Sequence, residues 1–299
     1  MTLRFPVEPM SATLGSLPVE ADDENWAYEI KWDGYRTIAF VDGGALRLQS
    51  RRSLDVTTKY PEIGGLPGSV NSSSAVLDGE LVCFDATGRP SFEALQRHET
   101  QAVFHIFDVL AVDGTDTIGL PYEQRRQLVI SLVETAPNWL VPAHRIGDGA
   151  ALVAATLEKG LEGVMAKRLG STYLVGKRTP NWRKIKNRIR ADLTIGGFTT
   201  GGGSRSGSFG ALLVGKPAAD GSLQFAGGVG TGFNAATLDT LRDRLLALRT
   251  DVCPFHPEPP REYRRDATWV RPELHAVVEM TEFTNVGFVR QASFIELLD

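Results

Sequence analysis

Trp26-Ala27-Tyr28-Glu29-Ile30-Lys31-Trp32-Asp33-Gly34-Tyr35-Arg36 decides how this chain is read. Trp26 to Tyr28 alternates as a strand does, and Asp33-Gly34 is a turn pair. Lys31 therefore stands at a strand end, between an acid and a glycine turn. A lysine fixed there by the backbone is a candidate nucleophile. K-x-D-G alone is a short pattern, and a lone lysine is most often a solvated surface charge, so the companions of Lys31 further along the chain decide the matter.

At 299 residues, with 42% hydrophobic and 23% charged content, the chain is long enough for two globular domains. Cys83 and Cys253 are too few for a disulfide framework, and Cys253-Pro254-Phe255-His256 is one C-x-x-H pair without the second pair that a zinc site needs. Met1 to Pro6 lacks the apolar core of a secretory signal, and no run of about eighteen apolar residues could span a bilayer. The expectation is a soluble, cytoplasmic protein with no membrane role.

The formal charge of −4 would argue against a nucleic-acid partner if charge were spread evenly. Binding responds to local potential instead. Lys177, Arg178, Arg183, Lys184, Lys186, Arg188 and Arg190 fall between Gly176 and Arg190 with no acid among them, which favours a phosphate-rich partner over a merely solvated face. Of eight lysines, Lys31, Lys167, Lys184 and Lys186 lie in short motif-like phrases, as though lysine were kept where a compact titratable amine is useful.

Apolar, β-rich runs at Ala75 to Phe84 and Val103 to Leu110 alternate with helix candidates. Tyr122 to Ala136 is one, and Gly149 to Lys159, with Asp148 as N-cap and Gly160 past its end, is another. After Arg190 come short strands at Thr194 to Phe198, Ala211 to Val214, Leu223 to Phe225 and Leu274 to Phe283, with one helix from Ala235 to Leu248. That texture fits a small OB-fold barrel. Gly196 to Gly210 and Gly228 to Gly232 complete neither nucleotide-binding glycine pattern and read as hairpin turns. Pro254 to Pro260 reads as one irregular surface loop.

A free lysine amine has a pKa of about 10.4 and must lose its proton before it attacks. Arg36, Arg51, Lys184 and Lys186 converging on Lys31 would disfavour the ammonium form. Lys184 and Lys186 are two apart, so on a strand they share a face with Trp182, as a pair of phosphate contacts requires.

The companions are Ser50-Arg51-Arg52, Leu77-Asp78-Gly79-Glu80, Phe104-His105-Ile106-Phe107-Asp108, Glu162-Gly163-Val164-Met165-Ala166-Lys167 and Trp182-Arg183-Lys184-Ile185-Lys186. In that order and spacing they resemble the collinear motifs of the covalent nucleotidyltransferases, specifically the ATP-dependent DNA ligases, over nearly the whole chain. Trp26 to Arg36, Ser50 to Thr57 and Phe225 to Phe233 are most similar to the minimal bacterial ligases of non-homologous end joining and gap repair.

The resemblance implies an α+β fold: a nucleotidyltransferase (ATP-grasp-like ligase) domain of packed antiparallel sheets with flanking helices over residues 1–190, then a small β-barrel OB-fold domain over 191–299. It implies ATP as AMP donor, Mg²⁺ or Mn²⁺, and Lys31 as the residue that carries AMP. Glu29 would lie at the base edge and Phe107 on the base, while Arg36 and Arg51 would hold ribose and phosphate oxygens. Glu80 would serve ribose and metal, Glu162 the metal, and Lys184 with Lys186 the α-phosphate. Gly287-Phe288-Val289-Arg290-Gln291-Ala292-Ser293-Phe294 resembles the last ligase motif, where Arg290 would reach pyrophosphate on domain closure; Gln291 and Ala292 stand in place of its usual His-Pro.

The implied partner is nicked or broken double-stranded DNA, bound by a monomer that is nucleoid-associated in a bacterial cytoplasm, with Ku and a separate primase-polymerase beside it. An RNA ligase or capping-type nucleotidyltransferase would use the same lysine. NAD as donor lacks the added domains of that ligase class, and a non-catalytic OB-type DNA-binding protein would use no lysine at all.

Overall fold

The computed structural model describes residues 3–284 and 286–298. Its chain divides into two units, Met1–Asn187 and Arg188–Asp299. In the first unit the strands are β1 (Ser11–Leu14), β2 (Trp26–Ile30), β3 (Tyr35–Asp42), β4 (Ala45–Ser50), β5 (Ser74–Val82), β6 (Val103–Val112), β7 (Thr115–Asp116), β8 (Trp139–Leu140), β9 (Arg145–Ile146), β10 (Gly163–Arg168) and β11 (Arg178–Lys186). The helices are α1 (Phe92–Arg97), α2 (Tyr122–Leu132) and α3 (Gly149–Glu158). Two sheets result, ordered β1-β11-β10-β2-β9 and β4-β3-β5-β6-β7, with β8 joined to β6. Neighbours run antiparallel except β1 with β11 and β8 with β6.

Period-two alternation assigns each side chain to a layer. In β2, Trp26 and Tyr28 join Val164, Ala166 and Ile185 against Leu152 and Val153 of α3. Ala27 turns the other way, into a cluster with Ile38, Phe107, Tyr122, Tyr173 and Trp182. Burying a large side chain such as Trp26 or Tyr28 stabilises the fold by about 1.5–3 kcal/mol, so the two-sided burial of β2 fixes its register firmly. On β3 and β5, Ala39, Val41, Leu77 and Leu81 face a second core containing Ile63, Leu66, Val129 and Trp139. The alternate positions Arg36, Asp78 and Glu80 are left to the opposite side.

Two helix expectations need correction. α2 ends at Leu132, not Ala136: Val133 turns extended to form a bridge with Val70, the Glu134 N–H donates to the Ser69 carbonyl, and Ala136 precedes a proline. Asp148 occupies the N-cap position of α3 in a left-handed conformation and makes no side-chain cap. Its carboxylate pairs with Arg145 at 2.6 Å, while Asp23 accepts the free N–H groups of Asp148 and Gly149 from outside the helix.

The second unit holds β12 (Ile189–Thr200), β13 (Phe209–Pro217), β14 (Leu223–Val229), β15 (Arg249–Thr250), β16 (Ala267–Met280), β17 (Glu282–Phe283), β18 (Val289–Arg290) and β19 (Ser293–Leu298), with α4 (Ala235–Ala247) and α5 (Arg261–Arg264). The main sheet runs β14-β13-β12-β16-β15, and the long β16 pairs with β15 through one half and β19 through the other. Leu241 and Leu245 of α4 pack on its core of Leu193, Leu212, Val270 and Val278. This is the OB-fold.

Its glycines differ from the hairpin reading. Gly196 and Gly197 lie inside β12, at a bulge opposite Trp269, and only Gly201 to Ser208 makes the turn to β13. Gly228 lies inside β14, and Gly230 to Gly232 lead to α4 rather than to a paired strand. The late strand begins at Ala267, earlier than Leu274, because its first residues pair with Phe198 and Thr199. The loop around Phe255 is irregular, yet Phe255 is buried among Leu213, Leu223 and Phe225. Among the described residues no helix is long and apolar enough to cross a membrane.

Candidate active site

Between the two sheets of the first unit lies a cleft of about 830 Å³, solvent-open space included. One wall is formed by Glu29, Met165, Lys167, Trp182 and Lys184 from β2, β10 and β11, the other by Arg36, Glu80 and Phe107 from β3, β5 and β6, with Lys31, Trp32 and Arg51 also lining it. Every one of these strand positions is an alternate residue of the pleat.

Lys31 follows β2 directly. Its N–H donates to the Gly163 carbonyl at 2.9 Å, extending the ladder between β2 and β10 past the last paired residue. Gly163 has φ +143°, and a Cβ there would lie 2.1 Å from the Ile185 carbonyl. Gly34 is required for a similar reason: a Cβ on it would stand 2.2 Å from the Leu81 carbonyl and 2.8 Å from Glu80 Cγ. These two glycines bring the chain around Lys31 against β5 on one side and β11 on the other.

The nearest charged partner of Lys31 is an acid, not the cations that the sequence led us to expect. Its Nζ contacts Glu162 Oε2, and Lys186 Nζ reaches Oε1 of the same carboxylate at 3.2 Å. Glu162 is anchored by its main chain, whose carbonyl accepts the Asn187 N–H at 3.0 Å. Lys184 does lie in a cationic setting: burial, then the charges of Lys186, Arg178 and Lys31, hold its amine below the ordinary lysine range.

Glu80 stands beside these groups without an ion-pair partner among the described residues. Burial pushes its carboxyl up to about 7, with Asp78 and Glu162 adding to the effect and Arg36 and Lys31 opposing it. No three acidic, histidine or cysteine side chains among the described residues gather closely enough to hold a metal ion. The donor set is therefore suited only to a hard ion that takes a carboxylate or two from the protein and the rest of its ligands from phosphate and water, as Mg²⁺ does.

At the buried end, Lys167 Nζ donates to both oxygens of Glu29, at 3.0 and 2.8 Å, and the Tyr122 hydroxyl donates to Oε1. Burial works against the Glu29 carboxylate, but the charges of Lys167 and Arg126 outweigh it and hold Glu29 below the usual range. The Phe107 ring has the Lys167 ammonium 4.0 Å and the Arg36 guanidinium 4.6 Å from its centre.

Glu29, Lys31, Arg36, Arg51, Glu80, Phe107 and Lys184 thus share one cleft, with Glu162 and Lys186 at its edge. Arg36 lines the cleft with part of its fork already engaged. Asp78 takes its Nε and Nη2, and Nη2 also reaches the Met10 carbonyl at 3.5 Å. Arg290 belongs to the second unit, where it is the exposed residue of β18 and pairs with Glu282 at 2.8 Å. In the basic stretch from Lys177 to Arg190, Arg183 lies over Trp26 and Arg178 donates to the Ala12 carbonyl in the first unit, and Arg188 and Arg190 pair with Glu279 in the second.

Asp78, Tyr122, Met165 and Lys167 were given no role from sequence. Alternation along Gly163-Val164-Met165-Ala166-Lys167 was the available signal for the last two, since residues two apart share a face. His105 is buried with its ring 4.2 Å from Trp32, and burial pushes it down to about 4, so it is neutral near pH 7.

Residues 16–186 match the family model of the ATP dependent DNA ligase domain, and residues 205–299 that of the ATP dependent DNA ligase C terminal region. The chain is 41% identical over 288 residues to the multifunctional non-homologous end joining DNA repair protein LigD of Mycobacterium tuberculosis, covering 96% of this chain and 38% of that protein. It is 35% identical over 296 residues to the multifunctional non-homologous end joining protein LigD of Pseudomonas aeruginosa, covering 96% of this chain and 35% of that one. The chain therefore spans little more than a third of the length of these curated relatives. A solved structure of mycobacterial DNA ligase D complexed with ATP and MES matches with a TM-score of 0.57 at 37% identity, over 98% of this chain and 95% of that chain. With both family models matched in sequence order, the chain belongs to the ATP-dependent DNA ligases.

Proposed function

We propose that the chain seals nicks between 3′-hydroxyl and 5′-phosphate ends of double-stranded DNA through a lysine–AMP intermediate, in the repair of DNA breaks or gaps. Residues 1–190 would act as the adenylyltransferase domain and 191–299 as the OB-fold domain that meets the duplex. The observation that carries the reading is the polarity of the cleft: an aromatic, buried end at Phe107 and Trp182, and an open, cationic end at Lys31, Arg51 and Lys184.

A nucleoside triphosphate fits that polarity in one direction, base inward and phosphates outward. The Lys31 amine, freed of its proton and of Glu162, forms a bond to the α-phosphorus while the bond to the bridging oxygen breaks and pyrophosphate leaves. AMP then passes from Lys31 to a 5′-phosphate, and the neighbouring 3′-hydroxyl displaces it. Lys184 and Lys186 would stabilise charge on the α-phosphate, and Arg51 charge on the outer phosphates. Glu80 and Glu162 would hold Mg²⁺ or Mn²⁺, whose chemistry there is neutralisation of the phosphate charge. Arg290 would reach the leaving pyrophosphate from the OB-fold domain. Relatives named for non-homologous end joining make Ku and a separate primase-polymerase the partners to test.

Intact-mass analysis of the chain after incubation with ATP and Mg²⁺ tests the reading. A gain of one AMP, reversed by pyrophosphate and absent in Lys31→Ala, is expected; label retained in Lys31→Ala would overturn it.

A further inference from the structure

Glu162 carries the carboxylate that Lys31 and Lys186 share, and it stands in the short connection from α3 to β10, just before the first residue of that strand. Three successive carbonyls fix this connection. The Leu161 carbonyl accepts from Asn187 Nδ2 at 2.9 Å, the Glu162 carbonyl from the Asn187 N–H at 3.0 Å, and the Gly163 carbonyl from the Lys31 N–H at 2.9 Å. Asn187 thus straddles the peptide that joins Leu161 to Glu162, with its side chain on one carbonyl and its main chain on the next. It is also the chain neighbour of Lys186 and the last residue of the first unit, so the whole grip is made inside that unit.

The Asn187 side chain is buried, and its partners settle which way the amide points. A backbone carbonyl can only accept, so the group that faces Leu161 is the NH2. Its second N–H goes to the Thr156 hydroxyl at 3.0 Å, in the last turn of α3. Oδ1, by contrast, meets no partner among the described residues. A buried acceptor left unpaired costs about as much as a buried hydrogen bond contributes. As a contribution to stability the amide therefore comes close to cancelling itself; as a donor aimed at the Leu161 carbonyl it does not.

We propose that Asn187 is a positioning residue for lysine adenylylation: it fixes the Leu161–Glu162 connection so that the Glu162 carboxylate meets Lys31 and Lys186 together. The proposal rests on the lysine–AMP reading above and adds a residue that stands just past the Trp182 to Lys186 phrase. With the Leu161 link gone, the connection is free to pivot about the Glu162 and Gly163 carbonyls, and a shift of about 1 Å is enough to slow a positioned reaction strongly.

The test follows labelling by intact mass on wild type, Asn187→Ala, Asn187→Asp and Thr156→Val, each as the full chain with ATP and Mg²⁺. Asn187→Ala is expected to lower kcat for labelling about tenfold, with KM for ATP within about twofold of wild type. Asn187→Asp keeps the size and turns the donor face into an acceptor; it should lose as much, and it decides the matter if the alanine variant does not fold. Thr156→Val removes the contact to α3, leaves the one to Leu161, and should label as wild type does. On a Glu162→Gln background Asn187→Ala should add no further loss, because the charge it positions is already gone. Hydrogen exchange at the Lys31 amide, read by nuclear magnetic resonance without nucleotide or metal, should quicken about tenfold in Asn187→Ala and stay unchanged in Thr156→Val.

An unchanged kcat in Asn187→Ala, an equal slowing in Thr156→Val, or full multiplication of the two losses when Asn187→Ala is combined with Glu162→Gln would overturn the inference, while labelling of the wild type leaves the ligase reading standing. No label on wild type overturns both.

Discussion

Arg36 and Asp78 meet side-on, Nε to Oδ1 at 2.5 Å and Nη2 to Oδ2 at 2.6 Å, and the pair ties β3 to β5 beside the cleft. Asp78 is fully buried and also accepts the Tyr173 hydroxyl at 2.6 Å. Asp78→Asn leaves a largely buried guanidinium without its counter-charge, so unfolding by urea should show a loss of about 3 kcal/mol. A loss below about 0.5 kcal/mol would mean that Arg36 finds its compensation elsewhere.

Glu162 serves two amines at once. Glu162→Gln removes the charge shared by Lys31 and Lys186 and one proposed metal ligand. The Mg²⁺ concentration for half-maximal lysine labelling should rise about tenfold or more. An unchanged Mg²⁺ requirement with a lowered maximal rate would confine Glu162 to handling Lys31.

Glu80 gives opposite pH trends for stability and for chemistry. Its folded pKa, about 7, lies above the ordinary glutamate value of 4.5, so between those values the folded chain holds a proton that the unfolded chain has released. Its contribution is complete below the unfolded value and is lost as pH rises through about 7. Glu80→Gln should flatten this part of the stability profile and, at pH 8, raise stability by about 1–3 kcal/mol. If Glu80 serves the metal as proposed, as a carboxylate, labelling by the wild type should rise over the same range. A wild-type stability curve that climbs from pH 5 to pH 8 with no matching feature in Glu80→Gln would exclude this account.

Gly34→Ala places a methyl group against the Leu81 carbonyl and Glu80. The strands must part or the turn after Lys31 must move, at a cost of about 1–3 kcal/mol. Thermal melting and labelling rate should fall together. Retention of both would show that the turn yields freely.

Strand alternation made part of the cleft legible, while Glu29, Arg51, Glu80, Phe107 and Glu162 were legible only through the family resemblance. Lys184 and Trp182 could be put on one face from spacing alone, and Lys31 at a strand end from Trp26-Ala27-Tyr28. What spacing could not give is pairing between distant segments. Tyr122 meets Glu29 across 93 positions, and Arg36 meets Asp78 across 42. The β5–β6 ladder also shifts register at Val76/Leu77 and Asp78/Gly79, which no periodicity announces. The basic run ending at Arg190 shows the same limit. Local composition reveals the density of cations, but Glu279, which pairs with Arg188 and Arg190, comes from a strand elsewhere in the sequence. Asp148 had the right residue type for a cap, yet its left-handed backbone turned the side chain away and left the helix end to Asp23.

Glu29 and Lys31 are two residues apart on one extended line of backbone, and both line the cleft. At the rise of a strand that separation is roughly 7 Å. β2 is laddered on both sides and so holds the two at a fixed spacing, one at the place proposed for the base and the other at the place proposed for the α-phosphorus. Inserting or deleting a single residue between the two would swing one of them to the α3 side, so the proposed division of labour along this strand leaves no room for a change of length.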